Sequence, residues 1–205
     1  MAEVTQVLGH KTNLVGQAIS ASQGLIGQAE IEIRPLLRTG EILESIPGIV
    51  VTQHSGTGKA NQYFLRGFNL DHGTDFATFV DGIPVNMRTH GHGQGYSDLN
   101  FVIPELIGSI EYKKGPYYAE VGDFSGAGSA QLRHSDVLNK GTASITFGED
   151  NYQRYLVMDS VISTDSSWTY AVEYNSAADP WTDIKEDLDK TNAVSKHHNY
   201  NNKST

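Results

Sequence analysis

Apolar and polar residues alternate along the last third of the chain in a way that predicts β-strands. Three alternating segments lie at residues 142–147, 153–162 and 167–174, with short polar turns between them. One face of the third segment carries four large side chains: Trp168, Tyr170, Val172 and Tyr174. The opposite face carries Thr169, Ala171 and Glu173. Because a period of two places successive side chains on opposite sides of a strand, the pattern predicts an antiparallel β meander.

The preceding part of the chain combines short strands with short helices. Segments between turn residues predict strands at residues 49–52, 62–65, 76–81 and 110–113. Apolar residues at helical spacing predict a helix over residues 41–45, with Thr39 as a candidate cap and Pro47-Gly48 as its end. Further helical turns are predicted at 104–109 and 117–121, and short strands joined by Gly24 and Gly27 within 14–32. We therefore predict an α+β domain with a small mixed sheet and short helices.

The meander allows two interpretations. It is either a half-buried sheet packed on the first domain or the start of a transmembrane barrel. Strands of such barrels have about 9 to 11 residues, with apolar side chains facing out, polar side chains facing in and aromatic residues near the interface. The aromatic face of residues 167–174 favours the barrel.

The end of the chain shows no apolar periodicity. From Asp183 onward it is charged, and then rich in Asn, Lys and His. We therefore predict that residues 179–205 are irregular or disordered, most clearly residues 196–205.

Composition excludes several classes of protein. The chain has 15 Lys and Arg against 24 Asp and Glu, a net charge of −9 at pH 7, so no nucleic-acid partner is expected. It contains no cysteine, which excludes disulfides and thiolate metal sites. No stretch approaches the roughly 18 apolar residues of a membrane-spanning helix, and residues 1–30 do not form a secretory signal. Either the protein is cytoplasmic or a signal is absent from this chain.

The main polar cluster is the glycine-rich segment at residues 88–96, RTHGHGQGY, preceded by Asp71, His72 and Asp75. His90 and His92 can face one metal ion if the loop closes, and imidazole with carboxylate suits zinc, copper or nickel. The alternative is that these side chains only form hydrogen bonds, with other loops or with a polar ligand. No nucleophile with an orienting base is present, so we expect neither an enzyme nor a cofactor.

Four motifs follow one another in order: EILESIPGIVV at 41–51, FLRGF at 64–68, FVDGIPV at 79–85 and IPELIGSIEYKKGP at 103–116. In order and spacing they resemble the plug domain of TonB-dependent outer-membrane receptors. The similarity extends over residues 35–133, and residues 141–174 resemble the first barrel strands of the family. The resemblance implies an extended lead at 1–30, a plug at 31–136, barrel strands at 141–178 and an irregular tail at 179–205.

The resemblance also implies a function. Such a receptor would sit in the outer membrane of a Gram-negative bacterium and take up a metal chelate of the siderophore class, or another small nutrient. Its partner would be the TonB energy-coupling protein. The competing hypotheses are a soluble ligand- or metal-binding module without a transport role, and a His-dependent metalloenzyme.

Site residues follow from the same resemblance. Three apical loops of the plug, at 54–61, 68–75 and 86–98, would contact the ligand through His54, Asn69, Asp71, His72, Arg88, His90, His92, Gln94 and Tyr96. Charge contacts between plug and barrel would come from Arg66, Glu111, Lys113 and Lys114. The segment that pairs with TonB would be Glu3, Val4, Thr5, Gln6 and Val7.

Chain length conflicts with a complete receptor. A 22-stranded barrel with about 10 residues in each strand needs about 220 residues in strands alone. Only 65 residues follow Lys140 (205 − 140). An open meander would leave backbone groups unpaired in lipid. We therefore expect the chain to be a fragment, or a truncated product, of a longer transporter.

Overall fold

A computed structural model describes residues 17–36, 38–53, 58–178 and 187–200. In these ranges the strands, in chain order, are β1 (Gln17–Ser20), β2 (Gln23–Gly27), β3 (Ile49–Thr52), β4 (Gln62–Leu65), β5 (Phe68–Asn69), β6 (Phe76–Val80), β7 (Ile83–Pro84), β8 (Ile107–Lys114), β9 (Gly128–His134), β10 (Thr142–Phe147), β11 (Gln153–Ile162), β12 (Ser166–Ala178) and β13 (Asp187–Asn199). Helix α1 is Gln28–Glu32, and 3₁₀ helices lie at Thr39–Ser45, Pro104–Leu106 and Ala119–Val121. No helix in the described residues is long and apolar enough to cross a membrane.

The part of the chain before residue 139, which we call the N-terminal domain, contains two sheets. The larger has the order β1-β2-β8-β9-β6-β7, in which β6 and β9 run parallel and the other neighbours are antiparallel. The smaller has the antiparallel order β3-β4-β5. The predicted α+β fold with a small mixed sheet is confirmed.

The predicted helix at residues 41–45 is present as a 3₁₀ helix, Thr39–Ser45. Thr39 is its first residue rather than its cap; the Arg38 N–H donates to the Glu41 carboxylate at 3.2 Å. The helix ends before Pro47 because proline disfavours helical geometry in the residue that precedes it, and Ile46 is extended. The prediction for residues 14–32 was partly wrong: Gly24 and Gly27 lie within β2, and a short helix, α1, follows directly.

One apolar core holds the N-terminal domain together. The fully buried side chains from the 3₁₀ helix and from both sheets include Leu43, Ile46, Tyr63, Ile110 and Leu132. Strand β8 contributes on alternate positions, as expected for a strand with one face against the core. The core includes residues of β4, which precedes the second apical loop, and of β6, which β7 connects to the third loop.

Strands β10 to β13 form an antiparallel meander whose two faces differ as predicted. Trp168 and Val172 are 49% and 51% exposed, whereas Thr169, Ala171 and Glu173 on the other face are each 1% exposed. The buried face packs on the N-terminal domain through a second apolar cluster: Ile103, Leu106, Leu138, Leu156, Met158 and Ala171. The aromatic face therefore points away from the rest of the protein.

The prediction of an irregular tail was wrong for residues 187–199, which form β13. This strand pairs with β12 along its whole length. Its inward positions include Lys190, Asn192 and Lys196, whose side chains contact polar groups of the N-terminal domain instead of an apolar core. Because both faces of β13 are mainly polar, apolar residues do not recur at every second position. The search for apolar periodicity therefore did not predict this strand.

Candidate functional site

The second and third apical loops bring four rings together: His72, His90, His92 and Tyr96, here called the ring cluster. The His72 and His92 rings meet edge to face with centroids 4.4 Å apart. The His90 ring stacks on Tyr96 at 3.9 Å, with only 11° between the planes. His72 and Tyr96 are buried, and His90 and His92 are exposed. Residues from the second and third predicted loops thus form one surface.

His72 is oriented by the residues that end the first loop. Its Nδ1 lies 2.8 Å from the carbonyl oxygen of Ala60 and 3.2 Å from that of Asn61. Because carbonyl oxygens only accept hydrogen bonds, Nδ1 of the neutral ring carries the proton and Nε2 carries the lone pair. Nε2 lies 3.8 Å from Oδ1 of Asp71. The backbone therefore selects the tautomer that presents a basic nitrogen beside a carboxylate.

Tyr96 joins the third loop to the first. Its hydroxyl oxygen accepts the Ala60 N–H at 2.7 Å. The ends of the third loop are paired, since Met87 N–H donates to the Tyr96 carbonyl at 2.9 Å and Gly95 N–H donates to the Met87 carbonyl at 2.7 Å. The segment that carries His90 and His92 is thus closed at its base and held against the first loop.

A buried tyrosine, Tyr63, contacts the third loop next to the ring cluster. The Tyr63 hydroxyl lies 3.4 Å from the Ser97 carbonyl, and Ser97 N–H donates to the His72 carbonyl at 2.8 Å. Burial raises the pKa of the Tyr63 hydroxyl, and the nearby Asp98 and Tyr96 add to the effect. Tyr63 therefore stays neutral and remains a hydrogen-bond donor at any physiological pH.

Asn86 is a positioning residue that sequence reasoning did not single out, although it begins the third predicted loop. Its Oδ1 accepts the Thr78 N–H at 2.7 Å. Its Nδ2 lies within 2.9 to 3.1 Å of the carbonyl oxygens of Gly73, Phe76 and Gly95. One amide side chain thus connects the second loop, β6 and the third loop. An asparagine shortly after a strand is a sequence signal for a turn, but it does not indicate these hydrogen-bond partners.

Replacing Asn86 with alanine is expected to lower the free energy of unfolding by about 2 kcal/mol, because it leaves part-buried backbone groups without their partner. Denaturant unfolding measures this loss, and hydrogen exchange at Gly95 and Tyr96 locates it. Gln94→Ala is the matched control, since Gln94 is exposed in the same loop; a change within about 0.5 kcal/mol is expected. Equal losses in both variants would contradict the assigned role.

The remaining predicted ligand residues lie around the ring cluster. Asn69 Oδ1 accepts the Asp71 N–H at 2.8 Å, and Asp71 has a positive φ of +48°. The Arg88 side chain is 85% exposed and lies 3.8 Å from Asp123. His54 lies outside the described residues, so its role stays a prediction.

The grouping of possible metal donors differs from the predicted pair of His90 and His92. Ligand atoms of Asp71, His72 and His92 all lie within 4.8 Å of one another. His90 instead stacks on Tyr96, and its Nδ1 accepts the His92 N–H at 3.1 Å. The sequence indicated two histidines of one loop as metal donors. The observed group of donors comes from two loops that lie together only in the folded protein.

Four residues were predicted to link plug and barrel. None of their observed hydrogen bonds or ion pairs reaches the described strands of the meander. Arg66 donates to the Ala21 carbonyl, Lys113 pairs with Glu120, and Lys114 donates to the Pro47 carbonyl, all inside the N-terminal domain. Glu111 is exposed on β8. Other charged residues join the N-terminal domain to β10–β13. Contact of the four predicted residues with further barrel strands stays a prediction.

The observed charge link centres on Arg154 of β11. Its guanidinium bonds both oxygens of Glu105, at 2.5 and 2.8 Å, and Oε1 of Glu173 at 2.6 Å. Lys190 and Asn192 complete the partners of Glu173, at 3.4 and 2.9 Å. Glu105 belongs to the N-terminal domain and the other four belong to the meander. The Arg154 guanidinium is thus shared between Glu173, a buried carboxylate of the meander, and Glu105 of the N-terminal domain.

A second link lies near the β11–β12 turn. Lys196 of β13 contacts Asp136 at 2.9 Å and Asp81 at 3.6 Å, and His134 Nδ1 lies 2.8 Å from Asp81. Burial by itself would raise the pKa of the Asp81 carboxyl, but hydrogen bonds from His134, with the charges of His134 and Lys196, lower the pKa below its ordinary value. Asp81 therefore remains ionised at neutral pH.

A cavity of about 320 Å³ lies between the end of the first loop and the meander. Its lining includes Lys59, Asn61, Asp150, Tyr152 and Lys190. Asp150 lies in the β10–β11 turn, so the end of the first loop lies beside that turn. Because β10, β11 and β12 pair in antiparallel fashion, the β11–β12 turn lies at the opposite end of β11. At that end the Ser167 and Thr169 hydroxyls donate to the Asp136 carbonyl.

Comparison with known proteins gives consistent matches. A family model described as the TonB-dependent receptor plug domain matches residues 15–129. The vitamin B12 transporter BtuB of Vibrio vulnificus is 26% identical over 148 residues, which are 71% of this chain and 23% of that protein. The siderophore receptor PirA from Acinetobacter baumannii has a TM-score of 0.58 and 25% identity, over 80% of this chain and 26% of that one.

The copper transporter OprC has a TM-score of 0.63 over 88% of this chain and 28% of that one. At 14% identity this likeness concerns the fold alone: a plug followed by the start of a barrel. The chain spans about a quarter of the length of these relatives. The matched proteins are named transporters and receptors, in agreement with the expectation that the protein is not an enzyme. Because the family model matches more than half of the chain, the protein belongs to the TonB-dependent receptors and contains their plug domain.

Proposed function

We propose that the protein is the plug and first wall strands of a receptor that takes up a small nutrient, in the class of metal chelates, across the outer membrane of a Gram-negative bacterium. The observation that carries this proposal is the convergence of the three apical loops on the ring cluster. Two exposed imidazoles beside a buried imidazole and a buried phenol ring suit a small polar or metal-containing ligand. The relatives are named for vitamin B12 and for siderophores, which supports a small-molecule cargo.

The faces of the meander support insertion into a membrane. Its outward face carries Ile145, Tyr155, Val157, Trp168 and Val172, all more than a third exposed. Its inward face carries polar groups that contact the N-terminal domain. Apolar-out, polar-in alternation is typical of barrel walls. A soluble binding module is not favoured, because it would leave this apolar face in water.

The energy-coupling partner is proposed to be TonB. The segment Glu3 to Val7 lies outside the described residues, and its assignment depends on the family resemblance. Pairing by strand addition requires an extended, accessible segment near the start of the chain. In this proposal the segment receives the partner on the side of the membrane opposite the ring cluster.

Deleting the gene in the native host is expected to reduce uptake of one member of a nutrient panel at least tenfold. The panel comprises a ferric siderophore, cobalamin, zinc and copper, and cell-associated metal is measured by mass spectrometry. Loss of TonB should reduce uptake of the same nutrient equally, because transport across the outer membrane requires supplied energy. Complementation with the wild-type gene should restore uptake.

The proposal fails if deletion leaves uptake of every panel member unchanged. It also fails if uptake falls on deletion but does not depend on TonB. Replacing Glu3 to Val7 with glycines tests the coupling segment separately. That variant should retain ligand binding at the cell surface and lose uptake, whereas unchanged uptake would place the TonB contact elsewhere.

A further inference from the structure

We propose that Asp71, His72 and His92 bind a divalent first-row transition-metal ion directly, as a site on the outer surface of the plug. This inference rests on the proposed function, because it names the part of the cargo that the apical loops recognise. It differs from the pairing that the sequence indicates, since it uses one histidine from each of two loops and leaves His90 out.

Donor spacing is the first support. Ligand atoms of the three residues lie within 4.8 Å of one another, and Nε2 of His72 is 3.8 Å from Oδ1 of Asp71. Donors of a tetrahedral zinc ion at about 2.0 to 2.1 Å are about 3.4 Å apart. The largest separation exceeds this spacing by at most about 1.4 Å. The side chains of Asp71 and His92 are exposed, so they have room to rotate toward a bound ion.

Orientation of His72 is the second support. Metal-binding histidines characteristically donate their other ring N–H to a carbonyl or carboxylate, which fixes the tautomer. The contacts of His72 Nδ1 with the carbonyls of Ala60 and Asn61 have this form. His72 is 3% exposed, so its ring is held in place before any ion arrives.

The turn that carries Asp71 is also preorganised. Asp71 adopts a positive φ, and its N–H is bound by Asn69 Oδ1. Its carbonyl accepts the Tyr63 N–H at 2.9 Å, which ties the turn to β4. Of the three donors, only His92 lies on the third loop. The site therefore links the second and third loops, and an ion bound there would couple their positions.

Donor chemistry defines the class of ion. Two neutral imidazoles and one carboxylate suit zinc, copper, nickel or cobalt, whereas magnesium and calcium prefer oxygen ligands. Three protein donors leave at least one coordination position open on the solvent side. That position can take water or a donor atom of a small chelator, so the site suits either a bare ion or a metal with exchangeable ligands.

Titrating the complete 205-residue chain in detergent micelles with Zn²⁺, Co²⁺ and Mg²⁺ chlorides tests the site. Calorimetry should show one Zn²⁺ or Co²⁺ per chain and no competition from Mg²⁺. His92→Ala should weaken Zn²⁺ binding at least tenfold. The matched control His90→Ala, also exposed and in the same loop, should change it less than threefold. Asp71→Asn should also weaken binding about tenfold, since asparagine tolerates the positive φ but removes the charge.

Each outcome bears on the proposal. Equal weakening by His90→Ala and His92→Ala would overturn the assigned donors, and so would Zn²⁺ binding that His92→Ala leaves unchanged. Absence of saturable binding by the wild-type chain would overturn the site altogether. Circular dichroism confirms that the variants fold. Zn²⁺ binding without any TonB-dependent uptake would refute the proposed function alone, and TonB-dependent uptake without this binding would refute the metal site alone.

Discussion

Arg154→Met is expected to lower the free energy of unfolding by about 3 kcal/mol or more, because removing one partner of a buried ion pair leaves the other charge uncompensated. The side chain of Glu173 is only 2% exposed, and Arg154 also connects it to Glu105 of the plug. Denaturant unfolding in detergent, followed by tryptophan fluorescence, measures the loss.

Lys113→Met is the matched control for Arg154. It also removes a cation from an ion pair, with Glu120 at 2.8 Å, but the Glu120 side chain is 65% exposed. Exposed pairs contribute at most about 1 kcal/mol. A loss in Arg154→Met no larger than that of the control would show that the Arg154 network does not hold plug and wall together.

The pH dependence of stability provides an independent check on the same network. Burial by itself would raise the pKa of the Glu105 carboxyl, but hydrogen bonds and charge from Arg154, with Lys190, lower it. A carboxyl whose pKa is lower in the folded state stabilises the fold at any pH above its unfolded-state pKa of about 4.3. This contribution to the free energy of unfolding is lost as the pH falls through the folded-state pKa. Arg154→Met should therefore flatten the stability profile below about pH 4.

Gly95→Ala is expected to lower the free energy of unfolding by about 2 to 5 kcal/mol and to displace the third loop. Gly95 has a φ of +82°, which costs an L-residue about 1 to 2 kcal/mol. A Cβ there would also lie 2.9 Å from Thr74 Cα and 2.7 Å from the Phe124 ring. Overpacking of this kind adds about 1 to 3 kcal/mol. Because Gly95 pairs with Met87 and Asn86 at the base of the loop, the strain acts directly on the ring cluster.

Hydrogen exchange at Tyr96 and Ser97 and denaturant unfolding measure the effect of Gly95→Ala. Gly93→Ala is the control, since a Cβ at Gly93 has open space around it. It should change stability by less than about 0.5 kcal/mol. If both variants retain wild-type protection at Tyr96, the tight base of the third loop does not position the ring cluster.

Prediction of the fold from sequence succeeded where local pattern and packing agree. Strands β3, β4, β10 and β11 have the predicted bounds, because each alternates between a buried and an exposed face or lies between clear turn residues. Strand β13 was missed because its inward side is polar. Its inward Lys190 and Lys196 are stabilised by partners from distant parts of the chain, which no window of neighbouring residues contains.

The site was predicted in composition but not in arrangement. Asp71, His72, His90, His92 and Tyr96 were all identified, yet the fold pairs His72 with His92 and stacks His90 on Tyr96. Contacts between plug and barrel were predicted at Arg66, Glu111, Lys113 and Lys114. The observed contacts with the meander instead include Glu105 with Arg154, and Asp136 with Lys196. Glu105 occurs in a motif that marks the family, but nothing in that motif shows that Arg154 lies opposite it.

The amino-acid sequence by itself determined the family, the mixed-sheet plug and the alternation of the wall strands, because motif order and side-chain period are properties of the linear chain. Only the tertiary structure decided which histidines face one another, which charges join plug to wall and where β13 runs. These features depend on distances between segments far apart in sequence, and those distances are set by packing of the whole core.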